Sequence, residues 1–368
     1  MDEGALSRAT VSPRDPIDLS RILTVDELQA IAKERLSAGA YVYAAGGAGD
    51  ERTMRENIAA FGRWRFRPRV LVDTSARDLS TTILGRRITI PVGIAPFALQ
   101  CLFDPEGEVA MARAATAAGT FMGLSMGSNR TIEDVAAAAK CPLWFQPYVT
   151  DDHGLMRDLV GRAEAAGYAA LCLTADSPVS GRRDGAIREP VQLPEGVEWA
   201  NMPAELRRPG RGKWLTGGDA FDWDDLDRLA ATTSLPLVLK GILTAEDARI
   251  AVEHGARAIV VSNHGGRQLD DSVAALDALP DVVDAIGDRA EVLVDGGVRR
   301  GIDVLKALAL GARAVLVGRP AAWGLAAGGQ GGAERVLELL RVELSVAMAI
   351  AGVASVQHVD RGLVVARS

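Results

Sequence analysis

The sequence predicts an α/β fold: a single (β/α)8 barrel, or TIM barrel, with a helical segment before it and a long loop after the fourth strand. Eight short apolar runs recur, and most are separated by segments with helical periodicity. The runs lack polar alternation, which is typical of parallel strands buried on both faces. Their starts lie 22 to 33 residues apart, with one gap of 66 residues. Each ordinary spacing fits one βα unit, so eight successive units favour a closed barrel over an open sheet.

Two helices are predicted ahead of the barrel. Val25–Ala38 has an amphipathic pattern, and Thr24 before it is a residue type that caps helix N-termini. A glycine-rich turn follows, and Asp50–Phe61 then shows helical periodicity. The barrel strands are predicted, in order, at Val92–Ala95, Thr120–Leu124, Pro142–Gln146, Ala170–Thr174, Pro236–Lys240, Ala258–Ser262, Glu291–Asp295 and Ala314–Val317.

Helical segments alternate with these strands, and the 66-residue gap falls between the fourth and fifth strands. The gap carries about 40 residues more than one βα unit needs. These residues, about 180–220, contain four prolines and little periodicity, so we expect a mobile lid over the C-terminal rim. We expect residues 1–368 to form one domain with a flexible N-terminus at 1–20. The helices are predicted at Pro105–Ala118, Thr131–Ala139, Gly154–Ala166, Thr244–His254 and Arg300–Leu310, with Gly331–Ala351 closing the barrel.

Charge and composition exclude several classes of protein. The 41 Lys and Arg against 48 Asp and Glu give a net charge of −7, unlike a nucleic-acid-binding protein. Cys101, Cys141 and Cys172 form no CxxC pair, which is typical of a reduced, cytoplasmic protein. Met1–Asp18 has no apolar signal core, and the longest apolar run, Leu344–Val356, is too short to span a membrane. We therefore expect no nucleic-acid or membrane partner, and we predict no metal site.

Polar and charged side chains stand at the predicted carboxyl ends of nearly all the strands. In a (β/α)8 barrel these ends form one rim, where active sites lie. The rim would hold hydroxyls, an amide, a lysine, a histidine, arginines and two aspartates, a combination that a purely structural scaffold does not require. The chain has only four His and four Tyr, so the candidates for proton transfer are few.

Glycines and arginines occur together after the seventh and eighth strands. The sequence is Asp295-Gly296-Gly297-Val298-Arg299 in one loop and Gly318-Arg319 in the other. These loops often form a phosphate site in this fold. Glycine lets backbone N–H groups approach an anion, and arginine adds paired donors. The sequence therefore predicts a phosphate-bearing cofactor, with a plain tight turn as the alternative for Gly296-Gly297.

The loop after the sixth strand carries a specific resemblance. Ser262-Asn263-His264-Gly265-Gly266-Arg267-Gln268-Leu269-Asp270 is similar to the signature of the FMN-dependent α-hydroxy-acid oxidases and dehydrogenases. The resemblance extends from Tyr41-Val42-Tyr43-Ala44-Ala45-Gly46-Gly47-Ala48 to Gly318-Arg319-Pro320 and includes Lys240-Gly241-Ile242. It implies FMN as cofactor and a small (S)-2-hydroxy acid as substrate, oxidised to the 2-oxo acid. A homotetramer is expected only by analogy with related barrels.

The resemblance implies catalytic roles for four residues. His264 would act as general base, since an imidazole with a pKa of about 6.5 accepts a proton at neutral pH. Asp176 would pair with His264 and stabilise the imidazolium, the alternative being a helix cap. Arg267 would bind the substrate carboxylate through two N–H groups. Tyr148 would hydrogen-bond the substrate oxygen, the alternative being a tyrosine that only packs at an interface.

Further residues would bind the substrate and set its size. Tyr43 would share the carboxylate with Arg267, whereas Tyr41 would pack. Arg183 matches a mobile substrate-side arginine of the family, with a surface role as the alternative. Gly127 falls where glycolate-type members carry Trp, and Ser180 falls where they carry a larger apolar residue. Both differences predict a substrate bulkier than glycolate, such as an aromatic, mandelate-like acid.

The remaining rim residues would bind FMN. A buried lysine is costly unless it meets an anion. By the resemblance, Lys240 would face the N1/C2-oxygen edge of the flavin, the alternative being an internal ion pair. By the resemblance, Ser125, Gln146 and Thr174 would bond the polar edges of the ring. Asp295 and Arg319 would hold the ribityl-phosphate tail, together with Gly297, Arg299 and Gly318. The alternative for each polar strand end is a hydrogen-bonded core residue. The predicted set is Ala95, Pro96, Ala98, Ser125, Gln146, Thr174, Lys240, Ser262, Asp295, Gly297, Arg299, Gly318 and Arg319.

The electron acceptor is predicted from one position. Ala98 falls where oxidases of the family tend to carry Ala and several dehydrogenases carry Gly, which favours oxygen as acceptor and hydrogen peroxide as product. The alternatives are a dehydrogenase linked to a quinone or dye, a lactate-type oxidase or monooxygenase, and more remotely a non-catalytic FMN-binding protein. An FMN-dependent isopentenyl diphosphate isomerase shares the barrel, but it would not need the His264 loop together with Arg267, Tyr43 and Arg183.

Overall fold

A computed structural model describes residues 17–148, 152–206 and 221–367. Within these ranges, eight parallel strands close into a barrel and pair in chain order, which confirms the predicted (β/α)8 fold. The bounds differ from the predicted ones by at most two residues. The barrel strands are β1 (Val92–Ile94), β2 (Met122–Ser125), β3 (Leu143–Gln146), β4 (Ala170–Thr174), β5 (Leu237–Ile242), β6 (Ala258–Val261), β7 (Glu291–Asp295) and β8 (Ala314–Val317).

The helices before the barrel differ from the sequence-based prediction. Helix α1 ends at Arg35, not Ala38, and a second helix begins at Ala38. The reason is local: the hydroxyl of Ser37 accepts a hydrogen bond from Ala40 N, so Ser37 caps a new helix instead of continuing the first one. The first three helices are α1 (Val25–Arg35), α2 (Ala38–Ala45) and α3 (Arg52–Ala60).

The other helices surround the barrel. The closing helix starts earlier than predicted and is interrupted by non-helical backbone at Gly328 and Gly329. The interior strands are buried along their whole length, as expected when helices cover a parallel sheet. The helices are α4 (Glu108–Ala118), α5 (Ile132–Ala138), α6 (His153–Ala165), α7 (Asp184–Arg188), α8 (Trp223–Ala230), α9 (Ala245–Glu253), α10 (Ala275–Ile286), α11 (Gly301–Ala309) and α12 (Arg319–Ala351).

The N-terminal end of the barrel is closed by a hairpin that periodicity does not predict. Thr81–Ile83 and Arg86–Ile88 pair antiparallel. Ile83 and Ile88 are buried in the same cluster as Phe121 and other side chains of the barrel interior. Another antiparallel pair joins Trp64–Phe66 to Val364–Ala366. The plugged bottom leaves the opposite rim, at the carboxyl ends of β1–β8, as the open face.

The predicted lid is described in part. Residues 180–206 hold α7 and a turn of 3-10 helix at Ala204–Leu206, whereas 207–220 lie outside the described residues. Most of the N-terminus predicted to be flexible, 1–16, also lies outside them. The mobility of both segments and the single-domain organisation stay predictions. Within the described ranges, no helix combines the length and apolarity needed to cross a bilayer.

Candidate active site

A cleft opens at the carboxyl ends of the barrel strands. Its space, including the open mouth, amounts to about 1260 Å³, whereas small-ligand sites occupy roughly 300–1,000 Å³. Fourteen of the twenty predicted site residues line it. Those from the predicted set are Tyr43, Ala95, Pro96, Ala98, Tyr148, Arg183, Lys240, His264, Arg267, Asp295, Gly297, Arg299, Gly318 and Arg319.

Six predicted residues do not line the cleft. Asp176 lies behind His264. Ser125, Gln146, Thr174 and Ser262 are buried at the ends of their strands, with exposures of 0 or 1 %. Gly127 is also buried, and its carbonyl accepts a hydrogen bond from Leu99 N. The cleft wall on that side is formed by other residues.

His264 and Asp176 form a pair inside the site. His264 Nδ1 lies 2.9 Å from Asp176 Oδ1, and Ser177 Oγ donates to the same oxygen at 2.9 Å. With Nδ1–H donating to the carboxylate, the lone pair of the neutral imidazole is on Nε2. His264 is therefore oriented as a proton acceptor, with Asp176 fixing its tautomer.

The pKa values of this pair suit proton transfer. Burial lowers the pKa of His264 below its ordinary value, because the imidazolium is poorly solvated there. Asp176 opposes that shift, and the positive charges of Lys240 and Arg267 add to it. Burial raises the pKa of Asp176, but the attraction and hydrogen bond of His264 outweigh this and leave it below its ordinary value. At neutral pH, His264 is uncharged and Asp176 is ionised.

The loop that carries His264 is fixed from below. His264 itself has a left-handed backbone with φ +58°, and its N–H donates to Ser262 Oγ at 3.0 Å. The side-chain amides of Asn263 and Asn57 exchange two hydrogen bonds of 2.8 and 2.9 Å, which attach the loop to α3. Further along the motif, Asp270 accepts from Thr53 N in the first turn of α3. These bonds hold the imidazole on a rigid support.

Arg267 is held by the C-terminus of α2. Its guanidinium donates to Tyr43 O at 2.7 Å and to Gly46 O at 3.1 Å, and it lies over the Tyr43 ring at 5.3 Å. Carbonyls at a helix C-terminus lack helical partners and carry partial negative charge, so they suit a cation. Arg183 Nε donates to Arg267 O at 3.2 Å, which brings the second arginine to the same end of the cleft.

The positive charges of Arg267 and Arg183 would be stabilised by an anion bound at this end of the cleft. Burial and the repulsion of Arg183 lower the pKa of Arg267 to about 10, so it remains charged at neutral pH. The ring of Tyr148 stacks near His264, with centroids 6.4 Å apart. Burial raises the pKa of Tyr148 to about 12, so its hydroxyl stays protonated and can donate a hydrogen bond. A carboxylate beside a hydroxyl fits these groups.

Lys240 lies at the floor of the cleft and is 4 % exposed. Its ammonium lies 2.9 Å from Asp295 Oδ2 and donates to Ser262 Oγ at 2.8 Å. Burial opposes the charge, but Asp295 and Asp176 outweigh it and raise the pKa of Lys240 above its ordinary value. The next residue, Gly241, has φ +111°, and a Cβ there would lie 2.6 Å from that of Asp176, so only glycine fits. This bulge lets Asp176 pack against the strand that carries Lys240.

Arg299 and Arg319 also line the cleft, and Arg319 lies next to Arg267, because both side chains donate to Gly46 O. Arg319 donates to three backbone carbonyls, Ala44 O, Gly46 O and Gly265 O, at 2.8–2.9 Å. Burial, together with repulsion from Arg267 and Arg299, lowers its pKa well below the ordinary value. Burial also lowers the pKa of Arg299. Buried cations that repel each other are stabilised by a bound anion.

The residues present fit FMN. The arginines supply the charge that a phosphate needs, and Gly297, with φ +85°, lines the same cleft. A Cβ at Gly297 would lie 2.0 Å from Asn57 O, so no other residue fits this turn. Elsewhere at the strand ends, Gln146 Nε2 and Asp295 Oδ1 are buried and have no hydrogen-bond partner among the residues that the structure describes. Such atoms are costly unless a ligand satisfies them, and a flavin ring has acceptors and donors along its edge.

Sequence reasoning missed residues that shape the site. Gln268 donates to Asp176 O and Val179 O at 3.0 Å and accepts from Gly181 N, so it joins the His264 loop to the start of the lid. Gln268 lies inside the Ser262–Asp270 motif, and this position could have identified it as a site residue. Trp199 and Phe103 also line the cleft. Trp199 is a large apolar residue in a polar, proline-containing segment, and this contrast could have identified it as a residue that packs into the site.

The comparisons with known proteins show the family of the chain. Residues 32–366 match the family model described as FMN-dependent dehydrogenase. The chain is 49% identical over 356 residues to the L-lactate oxidase of a Nostoc strain, covering 93% of this chain and 98% of that protein. It is 45% identical over 355 residues to the glycolate oxidase of Spinacia oleracea, covering 94% and 96%.

Solved structures give the same result. A mandelate oxidase structure matches with a TM-score of 0.86 at 42% identity, covering 94% of this chain and 99% of the other. A structure of an (S)-mandelate dehydrogenase mutant matches with a TM-score of 0.89 at 35% identity, covering 94% and 100%. The chain therefore belongs to the FMN-dependent dehydrogenase family, is an enzyme, and has FMN as its cofactor.

Proposed function

We propose that this enzyme oxidises an (S)-2-hydroxy acid larger than glycolate to the 2-oxo acid, with dioxygen as electron acceptor and hydrogen peroxide as product. The observation that carries the proposal is the His264–Asp176 pair at 2.9 Å in the same cleft as Arg267 and Tyr148. A 2-hydroxy acid has a carboxylate, a hydroxyl and a proton to lose, and these four residues provide a partner for each. The L-lactate, glycolate and mandelate oxidases among the relatives support the substrate class.

The protein's own residues would bind and deprotonate the substrate. Arg267 and Tyr43 would hold the carboxylate, with Arg183 adding positive charge from the lid side. This anchoring would bring the 2-hydroxyl to Tyr148 and His264. His264 Nε2 would take the hydroxyl proton, and Asp176 would stabilise the imidazolium that results.

Other residues would hold the cofactor. FMN, when bound, would supply the two-electron acceptor: with the hydroxyl proton on His264, the hydrogen on the substrate's C2 would leave with its bonding pair, so that both hydrogens and both electrons are accounted for. Lys240, Ser125, Gln146 and Thr174 would surround the ring, with Ser262 orienting Lys240. The ribityl phosphate would be held by Arg299, Arg319 and the backbone of Gly297 and Gly318. Ala95, Pro96 and Ala98 would form the wall after β1, and Asp295 would keep Lys240 charged.

The pH profile of an Asp176→Asn variant tests the assigned base. The rate constant kcat/KM of the unaltered enzyme should fall on the acid side as His264 becomes protonated, with an apparent pKa below about 6.5. Asp176 raises the pKa of His264, so removing its charge should move this acid limb to lower pH, by about 1–3 units, while kcat falls. Steady-state rates between pH 4 and 9 measure both effects.

The chain supplies a matched control for this experiment. Asp227 Oδ1 lies 2.8 Å from His254 Nδ1, away from the cleft. This is the same Asp–His contact as Asp176–His264, but at a place where no substrate would bind. Asp227→Asn should leave the acid limb in place. An unmoved limb in Asp176→Asn, or a shift to higher pH, would contradict the assignment of His264 as base.

The substrate size and the acceptor are tested together. The enzyme should show a higher kcat/KM for L-lactate or (S)-mandelate than for glycolate, and rapid reoxidation in air with release of one peroxide per turnover. Ala98 in the cleft supports oxygen as acceptor. The alternative, a dehydrogenase linked to another acceptor, is favoured by the 35% identical (S)-mandelate dehydrogenase. Slow reoxidation in air combined with fast reduction of a dye would select that alternative, and a clear preference for glycolate would refute the size proposal.

The predicted homotetramer and cytoplasmic location stay predictions. Sedimentation of the FMN-loaded enzyme measures the first of them directly.

A further inference from the structure

Trp199 lies in the described part of the lid and lines the same cleft as Tyr148 and Arg183. Its side chain is almost completely buried, with 3 % exposure. Phe97 and Phe103, which pack edge to face at 6.0 Å, line the same cleft. Aromatic side chains therefore share the cleft with the groups that would bind the carboxylate and hydroxyl of the substrate.

The backbone on both sides of Trp199 is bonded to the loop that follows β2. Asn129 Nδ2 donates to Glu198 O at 2.9 Å, and Ala200 N donates to Ser128 O at 3.0 Å. One residue further, Asn201 Nδ2 donates to Ser128 Oγ at 2.8 Å. Since these bonds flank the tryptophan directly, they fix the backbone that carries its indole ring.

The loop after β2 is itself fixed by a buried carboxylate. Glu108, with 0 % exposure, accepts hydrogen bonds from Asn129 N and Gln100 N, each at 3.1 Å. Asn129 Oδ1 accepts from Cys101 N at 3.0 Å. The loops after β1 and β2 and the lid segment at Trp199 thus form one hydrogen-bonded unit, so the indole is part of a rigid wall.

This hydrogen-bonded unit bears on the prediction that Gly127 makes room for a bulkier substrate. A glycine in place of a large side chain opens space in the loop after β2, but the next residue, Ser128, pairs with the backbone beside Trp199. The bulky group on this side of the cleft comes from the lid. We propose that Trp199 is the specificity-determining residue that limits the length of the apolar side chain of the 2-hydroxy acid, an inference that rests on the proposed function.

Shortening the tryptophan tests this role in the FMN-loaded enzyme. Trp199→Ala should raise the ratio of kcat/KM for (S)-3-phenyllactate to kcat/KM for L-lactate by about tenfold or more. The space left by the indole would accommodate the longer side chain, whereas the short side chain of L-lactate would lose its contact with the ring. Trp199→Phe should change the ratio in the same direction by less. Trp223, which stacks on His254 at 5.4 Å away from the cleft, is the matched control, and Trp223→Phe should leave the ratio unchanged.

A binding series separates this inference from the proposed function. Dissociation constants for acetate, butyrate and 3-phenylpropionate, read from the flavin absorbance, report side-chain length without turnover. If the unaltered enzyme oxidises no 2-hydroxy acid, the proposed function fails, and the binding series alone decides the role of Trp199. The inference is overturned if the ratios of these dissociation constants in both Trp199→Ala and Trp199→Phe stay within twofold of those of the unaltered enzyme. If Trp199→Ala fails to bind FMN, Trp199→Phe decides.

Discussion

Replacing His264 by asparagine is expected to lower kcat/KM for the 2-hydroxy acid by about 10²–10⁴-fold, the usual contribution of a positioned general base. Asparagine tolerates the left-handed backbone that His264 adopts at φ +58°, so the substitution removes the base without adding backbone strain. FMN content and thermal stability should therefore stay close to those of the unaltered enzyme. The rate of flavin reduction in a single turnover is the measurement.

His254 provides the control for this variant. Its Nδ1 lies 2.8 Å from Asp227 Oδ1 and its ring stacks on Trp223, away from the cleft. His254→Asn should leave the rate of flavin reduction unchanged. If His264→Asn reduces the flavin within tenfold of the normal rate while its FMN content is normal, His264 is not the base.

Replacing Arg267 by methionine is the second large expected loss. The residue's charge lies in a buried site, and removing one partner of a buried charged contact costs about 2–5 kcal/mol, or about 30-fold to several thousandfold in kcat/KM. The loss should be dominated by KM, since the guanidinium would bind the carboxylate before the chemistry as well as during it. Arg267→Lys should recover part of the affinity, because it keeps the charge without the two-pronged geometry.

A purely structural role of Arg267 predicts a different result. Its bonds to Tyr43 O and Gly46 O also hold α2, so lost packing alone would lower stability and FMN content without a specific rise in KM. Arg182, whose side chain is 78% exposed, is the neighbouring control, and Arg182→Met should behave as the unaltered enzyme. An unchanged KM in an FMN-loaded Arg267→Met enzyme would contradict the role in carboxylate binding.

The barrel could be predicted from sequence because its signal is local. Each strand is a short apolar run such as Ala170–Thr174, whose structural bounds equal the predicted ones. The rule that strand ends share one rim then brings His264, Lys240 and Arg319 together without any knowledge of distances. The His264 motif identified the chemistry because its residues are contiguous in the chain.

Other features could not be predicted because they depend on contacts between distant segments. Arg267 and Arg319 donate to carbonyls of α2, a helix that the sequence analysis did not predict. The docking of Trp199 depends on Ser128 and Asn129, about 70 residues earlier in the chain. The hairpin that plugs the barrel has strands of only three residues each, too short to show a period.

Anaerobic titration of the FMN-loaded enzyme with a panel of 2-hydroxy acids tests the central claim most directly. The account predicts that the yellow flavin absorbance bleaches with the (S) enantiomer of at least one acid larger than glycolate, and that His264→Asn slows this bleaching by at least a hundredfold. A flavin that binds normally and is bleached by no 2-hydroxy acid would contradict the account.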